Sequence, residues 1–258
     1  MSPIKETNYF AYSACEGARY LSGTAVSPEQ FLITTDHDYL ALFAGVTTEE
    51  AIGEASPLYL GSMTAPMAIR RQLPDVRLVA ILRNPIDRAY SGYQMHLRSL
   101  RTELPTSQAF DPNQHWVQQG MYHAMLARYY ELFDSSRIKV LLFDDLKADP
   151  AGLLRELYRF LAVDEHFIPP SLEPQNPGGT PRSRALVAAA MRIRPAMAML
   201  PPGLRSAVRA AKHKVLFRRG APMPPEIRDR LRAVYRKDVG RLSALLDVDL
   251  ERRWLDSS

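Results

Sequence analysis

The feature that most constrains this chain is a continuous apolar run that stops on a charged residue and turns at once into a helix. Arg77-Leu78-Val79-Ala80-Ile81-Leu82 follows the turn at Pro74-Asp75 and leads into Arg83-Asn84-Pro85. The run is short and rich in β-branched and aliphatic residues. It reads as a strand buried on both faces, the pattern of a parallel sheet. Asn is a good helix N-cap and Pro a good first helical residue. From Ile86 to Leu100 the apolar positions Ala89, Tyr93 and Leu97 recur four apart. Strand, tight turn and helix make half of a βαβ unit.

The pattern returns downstream. Residues 119–133 read as a helix with Met121, Met125 and Tyr129 on one stripe, and Asp134-Ser135-Ser136 ends it. Ile138-Lys139-Val140-Leu141-Leu142-Phe143 is a second strand, and Asp149-Pro150 leads into a helix over residues 151–161. Short connections between alternating strands and helices define an α/β protein, with a central parallel sheet between two helical layers. The first 60 residues are irregular. Asn176-Pro177-Gly178-Gly179-Thr180-Pro181 is a loop, and a long helix is expected over residues 225–246.

Charge divides the chain unevenly. Residues 1–181 carry 15 Lys and Arg against 21 Asp and Glu, whereas residues 182–241 carry 16 against three. A basic C-terminal segment on a mildly acidic body fits contact with an anion or an acidic surface, including peripheral contact with a membrane; solvated helix faces fit equally well. Nucleic acid is disfavoured, because no finger spacing, helix-turn-helix signature or regular aromatic interleaving accompanies the charge. No apolar run reaches the roughly 18 residues of a membrane span. The start of the sequence does not read as a signal peptide. The single cysteine, Cys15, excludes an internal disulfide, and the expected compartment is the cytoplasm. The six histidines form no ligand pair, so no metal is expected.

In an open α/β sheet the ligand lies beyond the carboxyl ends of the strands. Arg83 occupies such an end. Its guanidinium is always charged and can fork onto a phosphate, and the helix N-terminus at Asn84-Pro85 offers free N–H groups beside it. Ser91 adds a hydroxyl further along that helix. The plain alternative is that Arg83 pairs with a carboxylate such as Asp87 and Ser91 is a surface residue.

Residues 82–91, from Leu82-Arg83-Asn84-Pro85 to Ala89-Tyr90-Ser91, resemble the 3′-phosphate-binding segment of sulfotransferases that use 3′-phosphoadenosine 5′-phosphosulfate (PAPS). Other landmarks of the family follow in register. Lys5-Glu6 with Phe10 resembles its Lys-Glu-x-x-x-Phe segment, and Gly53-Glu54-Ala55-Ser56-Pro57-Leu58-Tyr59 its Gly-Glu-x-Ser/Thr-Pro-x-Tyr element. Gly120-Met121-Tyr122, Leu142-Phe143-Asp144-Asp145-Leu146 and Phe160-Leu161 match later ones.

The resemblance implies a P-loop-NTPase-like sulfotransferase fold, with a core over residues 1–181 and a basic helical part of the same domain over 182–258. It implies PAPS as co-substrate, no metal, and a small-molecule, lipid or carbohydrate acceptor bearing a hydroxyl or amine. Glu6 takes the role of base and Lys5 counters charge near the acceptor. Arg83 and Ser91 hold the 3′-phosphate; Tyr122 and Arg182, the latter in a Gly- and Arg-containing loop, complete the nucleotide set. Lys5-Glu6 lies almost at the first residue, and no Gly-x-x-x-x-Gly-Lys loop occurs. The first strand and the phosphosulfate loop are therefore expected to be missing. Either the true start lies upstream or the chain is a degenerate nucleotide-binding or interaction protein; the joint survival of the landmarks favours the former. An ATP-using kinase is disfavoured by the lack of a Walker loop.

Overall fold

A computed structural model describes residues 2–12, 33–99, 102–170, 172, 180–181, 183, 217–218 and 222–256. Arg182, Cys15, Met191, Met197, Met199, His213 and most of the 176–184 loop lie outside the described residues.

Among the described residues, helices α1 (Tyr9–Tyr12), α2 (Asp36–Ala41), α3 (Leu58–Gly61) and α4 (Ala65–Gln72) precede strand β1 (Leu78–Leu82). Strand β1 then leads into α5 (Pro85–Arg98), capped by the Asn84 side chain with Pro85 in the first turn. The short α6 (His115–Gln118) and α7 (Tyr122–Tyr130) precede β2 (Ile138–Leu142), which runs straight into α8 (Phe143–Ala148) and α9 (Pro150–Leu161). β1 and β2 pair in parallel, Leu78 opposite Ile138 and Leu82 opposite Leu142. A two-residue strand β3 (Thr180–Pro181) lies beside α5 and pairs antiparallel with β4 (Phe217–Arg218). The chain closes with α10 (Pro225–Leu246) and α11 (Leu250–Trp254).

The sequence expectation of a parallel α/β unit holds, with three corrections. The stretch read as irregular, residues 1–60, carries the short helices α1 and α2 and the start of α3. β1 is not buried on both faces: Val79 is 41% and Ile81 50% exposed. Among the described residues the sheet has two strands, and α9 covers β2, where Lys139 pairs with Glu156. Among the described residues no helix covers the same face of β1 in this way. The helix expected over residues 119–133 also begins later, because Gly120 and Met121 break it. A Cβ on Gly120 would stand 2.7 Å from the Tyr235 hydroxyl, so the backbone there makes way for a side chain of α10.

Two apolar clusters hold the fold. One joins Leu82, Ile86, Tyr93, Trp116, Tyr122 and Leu142 to Leu231, Tyr235, Val239, Leu242 and Trp254, so the C-terminal helices share a core with the strand ends. The other gathers Tyr9, Phe10, Tyr39, Ile69, Tyr129 and Ile138 around the strand beginnings. Tyr9 stacks on Tyr39 with ring centroids 4.3 Å apart, an offset arrangement that adds to area burial.

Candidate active site

The in-register pairing places Arg83 and Phe143 side by side, each the first residue beyond its strand. The Arg83 guanidinium stands over the Phe143 ring, 5.4 Å from its centroid. Stacking uses the flat face of the guanidinium and leaves its in-plane N–H groups to meet an oxyanion. The buried Nε has no hydrogen-bond partner among the described residues. A buried charged donor without a partner costs free energy that a bound anion would recover. The plain alternative for Arg83 fails here: Asp87 pairs instead with Arg228 of α10, at 3.2 Å.

The surroundings fix this arginine from several sides. The Tyr122 hydroxyl donates to the Arg83 carbonyl at 3.0 Å. Asn84 Oδ1 accepts from the Ile86 amide at 2.9 Å, and its Nδ2 donates to the Trp254 carbonyl at 3.1 Å. Tyr122 is buried, and burial pushes its phenol up to about 12, so it stays a neutral donor at any ordinary pH. Ser91 is exposed on α5, the helix that starts beside Arg83 and lies against β3. Tyr122 thus reaches the site through Arg83, with its hydroxyl already engaged. Arg182 follows directly on β3 in sequence.

Lys5 and Glu6 lie elsewhere. They form an ion pair at 3.5 Å, with side chains 82% and 45% exposed, a pairing that contributes little to stability. Glu6 and Asn8 both adopt left-handed backbone, φ 58 and φ 55, around the fully buried Thr7. Such conformations are uncommon in residues other than glycine and need support from their surroundings. Here the support is Glu54, which accepts hydrogen bonds from the hydroxyls of Thr7 and Tyr59 and, at 3.2 Å, from Ser56. Glu54 therefore holds the turn that carries Glu6.

Three participants at the strand ends carry no sequence signal of their own. Trp254 Nε1 donates to Asp144 Oδ2 at 3.0 Å, Arg253 pairs with Asp145, and Lys147 pairs with Asp144 at 2.9 Å. Burial opposes ionisation of Asp144, but the bonds from Lys147 and Trp254 and the charges of Lys147 and Arg253 outweigh it and hold the carboxyl below its ordinary range. The Asp144-Asp145 pair is thus occupied by cations and an indole. Among the described residues no group of three or more His, Cys, Asp and Glu is placed to hold a metal ion. His96 and His115 meet with ring centroids 5.3 Å apart beside Trp116, away from the strand ends. Burial, then His96 and Arg88, lower the affinity of His115 for a proton.

A parallel α/β unit whose strand β1 runs into a capped helix N-terminus belongs to the class of open α/β proteins, in which ligands lie beyond the carboxyl ends of the strands. The comparisons with known proteins narrow that class. The pattern of the Sulfotransferase family matches residues 10–167, and the chain belongs to that family. The structure is similar to that of a sulfotransferase from Alicyclobacillus acidocaldarius, with a TM-score of 0.66 and 25% identity over 96% of this chain and 85% of that one. Mouse bifunctional heparan sulfate N-deacetylase/N-sulfotransferase 4 is 29% identical over 137 residues, 46% of this chain and 15% of its own length. Human heparan sulfate glucosamine 3-O-sulfotransferase 6 is 30% identical over 128 residues, 44% of this chain and 37% of its own length. The matched stretch thus spans well under half of each of these two relatives.

Proposed function

We propose that this sulfotransferase takes its sulfuryl group from PAPS and delivers it to a hydroxyl or amine of a carbohydrate acceptor. The observation that carries the reading is Arg83, a cation at the end of β1 and beside a helix N-terminus, whose buried Nε has no partner among the described residues. That donor set fits a phosphate monoester such as the 3′-phosphate of PAPS. Among the acceptor classes open to the sequence, carbohydrate is favoured by the sugar-directed names of both heparan sulfate relatives. Cytoplasmic placement is proposed with it, on the single cysteine.

PAPS supplies the sulfuryl group when bound, and adenosine-3′,5′-bisphosphate is its leaving half. The residues of this chain orient and neutralise. Arg83 grips the 3′-phosphate, and Ser91 offers a hydroxyl from the same helix. Tyr122 holds the Arg83 carbonyl, and Arg182 adds a second cation. Glu6 accepts the proton that the acceptor oxygen or nitrogen loses as it bonds to sulfur. The electron pair of the broken sulfur–oxygen bond departs on the phosphate. Lys5 counters charge near the acceptor. These are the demands of phosphoryl transfer met with another electrophile.

The test is transfer of ³⁵S from labelled PAPS to a glucosamine-containing oligosaccharide, a simple phenol and a long-chain alcohol. Label should appear on the oligosaccharide, and adenosine-3′,5′-bisphosphate should inhibit far better than adenosine-5′-phosphate. Label confined to the phenol or the alcohol overturns the acceptor class. Selective nucleotide binding without any transfer would support a degenerate binding protein instead.

A further inference from the structure

The end of the chain is built into the nucleotide site. Trp254 belongs to α11, far in sequence from both strands, yet it touches the carboxyl ends of both. Its backbone carbonyl accepts from Asn84 Nδ2 at 3.1 Å, just after β1, and its indole Nε1 donates to Asp144 Oδ2 at 3.0 Å, just after β2. Its ring lies 6.3 Å from that of Tyr122, whose hydroxyl holds the Arg83 carbonyl. At 1% exposure it cannot slide without opening the core. The neighbouring Arg253 pairs with Asp145, which fixes α11 to α8 a second time.

This geometry bears on the anion site directly. Asn84 is the N-cap of α5, and one side chain makes both the cap and the bond to Trp254. Phe143, against which the Arg83 guanidinium stacks, is the residue before Asp144. One tryptophan therefore sets both the helix N-terminus and the stacking platform of the arginine.

We infer that Trp254 is a positioning residue for the 3′-phosphate, a tie between the two strand ends that holds Arg83 and the α5 N-terminus at the spacing one phosphate requires. The inference rests on the proposed nucleotide reading. It predicts that weakening the tie costs 3′-phosphate recognition before it costs the fold.

The experiment uses the full chain with Trp254→Phe, which keeps an aromatic ring and removes the donor to Asp144, and Trp254→Ala as the harsher change. Calorimetry compares adenosine-3′,5′-bisphosphate with adenosine-5′-phosphate, and hydrogen exchange follows the amides of residues 86–88. For Trp254→Phe the expected result is a three- to tenfold loss of bisphosphate affinity, an unchanged affinity for the monophosphate, and faster exchange at the start of α5. Equal losses for both nucleotides, or a preference that survives intact, would overturn the positioning role. If Trp254→Ala fails to fold, Trp254→Phe decides alone. A parent protein that does not prefer the bisphosphate would fail the nucleotide reading itself. A parent that prefers it, with a Trp254→Phe variant that matches it, fails this inference only.

Discussion

Two polar centres of the molecule handle charge in opposite ways. At the N-terminal segment Glu54 receives the hydroxyls of Thr7, Tyr59 and Ser56, and the carboxylate is spent on holding a strained turn. At the carboxyl end of β1 the Arg83 guanidinium lies over Phe143 and, among the described residues, keeps a buried Nε without a partner. A closed network of this kind rigidifies, whereas an open one is ready for a ligand. The difference separates an acid closed into a hydrogen-bond network from a cation left open, although a charged residue beside apolar positions looks alike in both segments of the sequence.

The largest effect should come from Glu6, which rides on the closed network. If it takes the acceptor proton, Glu6→Gln lowers kcat by about 10²–10⁴, the usual worth of a positioned general base, and flattens the acid limb of the pH profile. Single-turnover transfer between pH 5 and 9 measures this, and a rate within threefold of the parent throughout would acquit Glu6. At the open centre Arg83→Ala should weaken adenosine-3′,5′-bisphosphate binding at least tenfold, consistent with about 2–5 kcal/mol for one member of a buried charged pair, and leave adenosine-5′-phosphate nearly untouched. Ser91→Ala should show the same selectivity at smaller size.

Thr7→Val sharpens the contrast from the other side. It removes one of the donors to Glu54 at a fully buried position and should cost about 1–3 kcal/mol in denaturant unfolding, with no change in bisphosphate affinity. A loss of affinity would join the two centres into one site. The smallest effect concerns acid. Asp144 is held below its ordinary range, so its ion pairing stabilises the fold above the unfolded carboxylate value of about 3.9 and is lost as pH falls through the lower folded value. The difference in Tm between the parent and Asp144→Asn should therefore shrink below about pH 4. A gap constant from pH 7 to 3 would show that the bond from Trp254 outweighs the charge.

The strand–turn–helix unit was legible because its signals are local: an apolar run, an N-cap and a proline. The long helix α10 was expected over residues 225–246 and matches at both ends, Pro225 and Leu246. β1 was misread as buried on both faces, since a short apolar run is the same whether or not a helix covers it. The break at Gly120 was also missed, because its cause is the Tyr235 ring, more than a hundred residues away. Arg83 was found by its position, but its state was not. Whether it paired with Asp87 depended on Arg228, which takes that carboxylate.

The sequence by itself determined the strand–turn–helix unit at β1 and α5, the long helix α10, the parallel pairing that a strand–helix–strand order demands, and the family landmarks. Those follow from backbone sterics, side-chain period and residue type, which act over a few residues. Only the tertiary structure decided which charges remain free. It set Glu54 under the Thr7 turn, Arg228 on Asp87 and Trp254 across the two strand ends. Each joins residues between 47 and 170 positions apart, and a hydrogen bond acts only within about 3 Å. Such partners become readable once the chain has packed.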